Sequence, residues 1–350
     1  MVKKILDSNL FYTFIAIIAG FLVGAVFLLV AGISPIAAYA KLITGVFSKP
    51  KFIVYTLVYA SPIIFTGLSV AFSFRTGVFN IGAEGQFVIG AMVATVLGIV
   101  IDLPPVIHAF VCLAGAAAAG AVWSLIVAIM KVKRGIHEVL SFIMFNWIAF
   151  YLSNYVVNLP GIKADAKEAS VDIASSARIL FPESIRNALG CDAANWGIVF
   201  AVVAAAIVWF VIEKTTLGFQ LKAVGCNANG AEYAGINTNR SVLTALGISG
   251  MLSGLGGAVQ VLGIGGRLAQ YAGQEGFGFE GISVALIGAS NPIGCIFSGI
   301  FYGAMKYGGS KLTLVGAPSE VIDIIMGCVI LLIAISAVFK VLFQKIGKKN

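Results

Sequence analysis

Charge is scarce in this chain. Asp, Glu, Lys and Arg make up 11% of its 350 residues, against 59% for the hydrophobic types, and the mean hydropathy is +1.00. Soluble domains carry roughly 25% charged residues, so an ordinary water-soluble fold is excluded. Histidine occurs twice, and the five cysteines (Cys112, Cys191, Cys226, Cys295, Cys328) are scattered without a CxxC pair. A metal centre or a disulfide framework needs clustered ligands, so neither is expected, and no cofactor is implied. The pattern GxxxxGK[ST] does not occur, and Gly347-Lys348-Lys349 has no strand or phosphate loop before it. The chain therefore has no nucleotide-binding machinery of its own. Ser/His, His/Glu and Asp/Asp constellations are missing too, which argues against an enzyme. The short alternating strands of an outer-membrane barrel are also absent.

What is present is a succession of long apolar runs. The first, Leu10 to Ala31, would extend about 33 Å as a helix, a full membrane span. Ala38-Tyr39-Ala40 after it could pass for a signal-peptidase site, but a signal h-region is shorter, so an uncleaved first helix is expected. Further helices are predicted at about 52–72, 85–101, 106–130, 138–158, 195–212, 241–265, 281–290, 293–308 and 319–339. The expected fold is an all-α, polytopic membrane helical bundle of about ten transmembrane helices, with residues 1–350 forming one transmembrane domain. Residues 34–51 are mildly amphipathic and are placed at the outer surface. Asp102-Leu103-Pro104-Pro105 reads as a tight outer turn, because paired prolines end helices. The segment 281–290 is too short to span alone and stops at Asn291-Pro292.

The net charge of +8 lies in short patches: Lys3 and Lys4; Lys131, Lys133 and Arg134; Lys340, Lys345, Lys348 and Lys349. Such patches orient a membrane protein and give no reason to expect nucleic acid. Ten crossings put both termini in the cytoplasm. Thirteen of the 23 cations then fall inside and, with the long loop 159–196 discounted, six outside. That loop carries nearly balanced charge and is expected to be external. The second long polar stretch, 213–240, is expected to be cytoplasmic.

Small residues recur at spacing four: Gly20 with Gly24, Ala116 with Gly120, Gly250 with Gly254, Gly299 with Gly303. In lipid such faces let helices approach closely, a packing signal without functional content. More informative is the polar block Phe79-Asn80-Ile81-Gly82-Ala83-Glu84-Gly85-Gln86, a carboxylate and two amides where hydropathy favours a spanning helix. A charge at membrane depth costs roughly 2.5–3.5 kcal/mol on insertion scales. Asn80, Glu84 and Gln86 are therefore candidates for the substrate path. The alternative is a helix start, with Asn80 as N-cap and Glu84 favoured by the helix dipole. An echo follows: Glu84-Gly85 precedes Phe87-Val88-Ile89-Gly90-Ala91, and Glu280-Gly281 precedes Ala285-Leu286-Ile287-Gly288-Ala289. The two segments would run in opposite directions, as in inverted repeats whose interrupted helices meet near a substrate path.

Asn146, near mid-span, is a further path candidate; its alternative is a hydrogen bond to a neighbouring helix. Trp147, Tyr151 and Tyr155 share one helix face, which fits an aromatic belt, core packing or stacking on a planar ligand. In the loop 213–240, two short amphipathic helix candidates flank a Gly/Asn turn, enough apolar surface to dock on another protein or, blandly, a solvated loop.

The stretch Gly77-Val78-Phe79-Asn80-Ile81-Gly82-Ala83-Glu84-Gly85-Gln86 resembles the signature of the ABC importer permeases that serve branched-chain amino acids, ribose and related sugars. Its Glu84-Gly85-Gln86 form is most similar to the nucleoside (guanosine-type) branch. Thr216-x-Gly218, Lys222-Ala223-Val224-Gly225-x-Asn227 and Ala231-x-Tyr233-Ala234-Gly235-Ile236 resemble the family's cytoplasmic coupling segment, and Ile143-Met144-Phe145-Asn146-Trp147-Ile148-Ala149 resembles its fifth helix. The likeness runs over roughly residues 10–340. It implies a multi-pass cell-membrane permease subunit of an ATP-driven importer, moving nucleosides by alternating access. Its implied partners are a cytoplasmic ABC ATPase, a second permease (a related, different chain), an external substrate-binding lipoprotein and membrane lipid. Gly218, Ala223, Gly225, Asn227, Ala231 and Gly235 carry over to ATPase coupling; Asn80, Glu84 and Gln86 carry over to the path region. Cys226 departs from the pattern, which usually has an acidic residue there. Simple sugars such as ribose remain an alternative cargo. An ion-coupled secondary transporter is the rival mechanism, though it would need several intramembrane carboxylates. Glu84 is nearly alone, with Glu320 and Asp323 toward the outer end of the last helix.

Overall fold

The computed structural model describes residues 9–165, 167–316, 318 and 321–346. Lys3, Lys4, Glu320, Gly347, Lys348 and Lys349, used in the orientation, ion-site and phosphate-loop arguments, lie outside them. The described residues form an all-helical membrane bundle with only isolated β-bridges. In chain order the helices are α1 Asn9–Val30, α2 Pro35–Phe47, α3 Pro50–Phe74, α4 Ala83–Val100, α5 Ile107–Arg134, α6 Glu138–Val157 and α7 Glu183–Leu189. They continue as α8 Gly197–Lys214, α9 Thr216–Cys226, α10 Ala228–Tyr233, α11 Thr238–Val259, α12 Phe277–Ile287, α13 Pro292–Gly309 and α14 Val321–Ile346.

Seven helices among the described residues are long and apolar enough to cross a membrane: α1, α3, α4, α5, α6, α8 and α11 with its π-helical extension Gln260–Gly265. The predicted helices at 281–290, 293–308 and 319–339 correspond to α12, α13 and α14. At 11 residues, α12 reaches about 16 Å, half the hydrocarbon thickness. A turn in which Ala289 and Ser290 both take φ of 52° separates it from α13. Asn291 caps α13, its Oδ1 accepting from Ile293 N at 2.9 Å.

The chain divides into two compact units, Met1–Thr56 with Ala304–Asn350, and Leu57–Gly303. In the first, α1 lies along α14: Gly20 sits against Val329 and Gly24 against Ile325, the close approach expected of that glycine pair. In the second, two small-residue pairs predicted separately meet each other. Gly120 of α5 abuts Gly250 and Gly254 of α11, Gly254 abuts Ala116, and Gly90 of α4 abuts Gly254. Three helices are thereby drawn together without bulky side chains between them. Gly299 and Gly303 of α13 lie against Ile64 and Ala60 of α3. The segment between α6 and α8 contains α7 and is pinned to the π-helical turn, with Ile179 N and Arg178 Nε both donating to Leu262 O at 3.2 and 3.1 Å.

Candidate functional site

The polar block folds as a short irregular link between α3 and α4. Phe74 ends α3, Gly77 turns with φ of 72°, and α4 begins at Ala83. Asn80 does not cap α4. The N-cap is Gly82, which makes no side-chain cap bond. Asn80 faces Gln86 instead, with Asn80 Nδ2 donating to Gln86 Oε1 at 2.8 Å and Gln86 Nε2 to Asn80 Oδ1 at 3.0 Å. The second hydrogen of that Nδ2 goes to Ser249 Oγ on α11 at 2.7 Å. Ser249 Oγ donates in turn to Ser69 O at 2.7 Å, so the 2.9 Å contact between the two serine hydroxyls has Ser69 as its donor. Two amides and two hydroxyls thus tie α3, the link, α4 and α11 together.

Glu84 makes the longest-range contacts of the block. Its Oε1 accepts from Gly276 N at 2.8 Å and its Oε2 from Gly278 N at 2.6 Å. Those are the N-cap and second residue of α12. Since helix N-termini leave backbone N–H groups without partners, a carboxylate there is well matched by hydrogen bonding and by the dipole. The N-termini of α4 and α12 abut: a Cβ on Gly278 would collide with Glu84 N and Cα. Thr66 of α3 adds a bond to Phe277 O at 2.9 Å, and a Cβ on Gly281 would meet Thr66. The two echoed segments therefore meet at their helix starts.

Asn146 of α6 completes the junction. Its Oδ1 accepts from Gly85 N at 2.8 Å and its Nδ2 donates to Ile81 O at 3.1 Å. Gly85 has no Cβ because one would lie 3.0 Å from Asn146 Cα. Asn80, Glu84, Gln86 and Asn146 are only 0, 1, 0 and 2% exposed. The four predicted path residues are thus brought together, but in this conformation they hold five helices, α3, α4, α6, α11 and α12, in register and face no open channel. Sequence reading missed their partners Ser69, Ser249, Gly276 and Gly278. The Glu280-Gly281 echo pointed near the last two; nothing local pointed to the serines.

The predicted coupling residues separate into two groups. Gly218 lies against Val211 O and Ile212 O of α8, closing the α8–α9 corner, and Ala231 is buried. A Cβ on Gly225 would collide with Arg75 O and lie 3.1 Å from Gly77 N, so α9 rests directly on the link into the polar block. Arg75 Nε also donates to Ser290 O at 3.1 Å, in the α12–α13 turn. Asn227 caps α10, accepting from Gly230 N at 3.0 Å; Gly235 takes φ of 84° to end it, and Ala223 is half-buried. Gly225, Asn227 and Gly235 are themselves exposed, and the large apolar side chains presented outward beside them are Phe219 at 67% and Tyr233 at 97% exposure, with Cys226. Beside them a cleft of about 490 Å³ opens between α9 and the start of α11, lined by Leu217, Gln220, Ile236, Asn237, Arg240 and Thr244.

Residues 52–334 match the family described as branched-chain amino acid transport system permease component. The chain is 37% identical to the guanosine ABC transporter permease protein NupP of Bacillus subtilis, covering 100% of this chain and 99% of that one. It is 30% identical to the nucleoside ABC transporter permease protein NupB of Lactococcus lactis, over 95% and 92% of the two chains. It is 29% identical to the glucose ABC transporter permease protein TsgB13 of Haloferax volcanii, over 93% and 87%. No solved structure gives a significant match.

Proposed function

This chain belongs to the family of branched-chain amino acid transport system permease components, and from that premise we propose that it carries nucleosides inward as one permease of an ATP-driven importer. It is a membrane transport subunit and not an enzyme. The family implies an ATPase, a binding protein and a second permease as partners. The finer assignments are that the ATPase docks on α9 and α10 from the cytoplasm, that an external lipoprotein delivers substrate, and that the second permease is a related but different chain. Both termini are assigned to the cytoplasm.

The observation that carries the cargo assignment is full-length similarity to a guanosine permease, at 37% identity. The mechanism rests on the seat of α9. Gly225 packs on the turn at Arg75–Gly77, and that turn contacts Ser290 and leads into the block whose Glu84 caps α12. A pull on α9 therefore reaches the junction of α4 and α12 through the packed backbone of the short link. For alternating access the ATP-bound and nucleotide-free partners must favour different positions of α9. Asn80, Glu84, Gln86 and Asn146 then act as the joint through which the path is opened, and substrate passes beside them.

The test is uptake by proteoliposomes holding both permeases, the ATPase and the binding protein. ATP-dependent guanosine uptake that excess ribose and glucose do not suppress is expected. Preferred sugar uptake would overturn the cargo, and uptake driven by an ion gradient without ATP would overturn the mechanism. Orientation is read in vesicles holding the permease pair without the ATPase, since Cys226 is the exposed cysteine among the described residues. A membrane-impermeant maleimide should label it only from the cytoplasmic side.

A further inference from the structure

We propose that the outward face of α6 lines the translocation path and that Trp147, Tyr151 and Tyr155 form a stacking rail for the planar base of the cargo. This rests on the nucleoside reading above. The helix has two distinct faces. Ser141, Phe142, Asn146, Ala149, Phe150, Ser153 and Val157 are buried, and Asn146 ties that side to the polar junction. The opposite side presents Trp147 at 44%, Tyr151 at 65% and Tyr155 at 67% exposure, set among the exposed aliphatic side chains Leu140, Met144 and Ile148.

A lipid-facing surface does not account for this composition. Among the described residues, the large exposed side chains of α5 and α8 are isoleucine, valine and phenylalanine, without a polar atom; α6 is the span whose exposed face carries tryptophan and tyrosine. Belts of these residues belong at the two ends of a span, at headgroup level. In α6, Trp147 occupies the centre of the 20-residue helix, and Tyr151 lies only about 6 Å further along the axis. A phenolic hydroxyl held there against hydrocarbon would have no hydrogen-bond partner. Facing a wet path shared with the second permease, it would have one.

The rings are held in a defined arrangement. Phe150, buried behind them, meets Trp147 at 5.6 Å and 83° and Tyr151 at 5.0 Å and 75°, edge-on in both cases. Trp147 and Tyr151 are inclined by only 30° with centroids 6.2 Å apart. Tyr155 continues the series one turn on, so the three steps cover about 12 Å of path. Every base has a π-face, and stacking tolerates differences between bases. A base can therefore pass from ring to ring without any single site holding it tightly, which is what a path between two states requires.

The test uses the complete complex in proteoliposomes and compares W147L/Y151L with W147F/Y151F. Guanosine uptake should fall about tenfold in the leucine pair and stay within about twofold of the parent in the phenylalanine pair. In the parent complex, 8-azidoguanosine activated during turnover should label the peptide 138–157. Parent-level uptake by the leucine pair would overturn the rail and return the face to lipid. Loss of uptake together with loss of the second permease from the purified complex would also overturn it, making the stripe a subunit contact. Labelling confined to other peptides would overturn it as well. A parent complex that moves no nucleoside at all would overturn the cargo reading first, and the rail with it.

Discussion

The polar junction around Glu84 and the coupling segment at 213–240 are both rich in motif residues, but they use them differently. At the junction every motif side chain is buried and bonded within the chain: Asn80 to Gln86 and Ser249, Glu84 to the α12 start, Asn146 to Gly85 and Ile81. In the coupling segment the motif glycines set the shape, at the α8–α9 corner, at the seat on Arg75 and at the end of α10, while Phe219 and Tyr233 supply the surface. Motif residues in both regions therefore shape the frame, and in the coupling segment Gly225, Asn227 and Gly235 are exposed as well, beside the larger aromatic side chains. The two regions should respond differently to substitution: the junction in stability first, the coupling surface in function alone.

The largest effect is expected at Gly278. A side chain there collides with the backbone of Glu84, which cannot move without displacing α4. Gly278→Val should destabilise the purified subunit by about 3 kcal/mol, seen as a lowered Tm and poor recovery from the membrane. A stable Gly278→Val protein would mean that the α4 and α12 starts do not abut.

Glu84→Gln should cost less, about 2 kcal/mol. One of the two backbone N–H groups at Gly276 and Gly278 would then face an amide N–H instead of an acceptor. Uptake should fall with stability. Glu280→Gln should change uptake less, since residue 280 lies within the first turn of α12, beyond the two N–H groups that Glu84 caps. Equal effects at both positions would break the distinction between the cross-chain cap and its echo.

Much of this frame was legible in the sequence, for identifiable reasons. A spanning helix needs about 20 apolar residues, so α1, α3, α4, α5, α6, α8 and α11 announced themselves by length. The Gly/Asn turn at 225–230 separated α9 from α10 because Asn227 is a good N-cap. The shortness of α12 followed from Asn291-Pro292. What could not be read was which distant residue each polar group meets. Glu84 and Gly276 are 192 positions apart, and Asn80 and Ser249 are 169 apart. Nothing local encodes such pairings. The spacing of Trp147, Tyr151 and Tyr155 placed them on one face, but which face was turned outward depended on Asn146 being drawn inward to Gly85. The packing of the coupling-loop glycines was illegible for the same reason: the close neighbours of Gly225, Arg75 and Gly77, lie about 150 positions away.

The smallest structural effect, and the sharpest test of the comparison, is expected at the coupling surface. Phe219 and Tyr233 extend into solvent from α9 and α10, and neither supports the fold as Gly218, Gly225 and Ala231 do. Phe219→Ser and Tyr233→Ser should each leave stability within about 0.5 kcal/mol of the parent. Burial of a large aromatic side chain is, however, the usual source of a dominant contact at a protein interface, worth about 2 kcal/mol or more. Each variant should therefore lower retention of the ATPase on the purified permease pair, and ATP-driven uptake, by about tenfold or more, at an unchanged Tm. A lowered Tm with normal ATPase retention would place these aromatics in the frame. Unchanged retention and uptake would move the docking surface off these two aromatics, toward the cleft between α9 and the start of α11 beside Gln220 and Arg240.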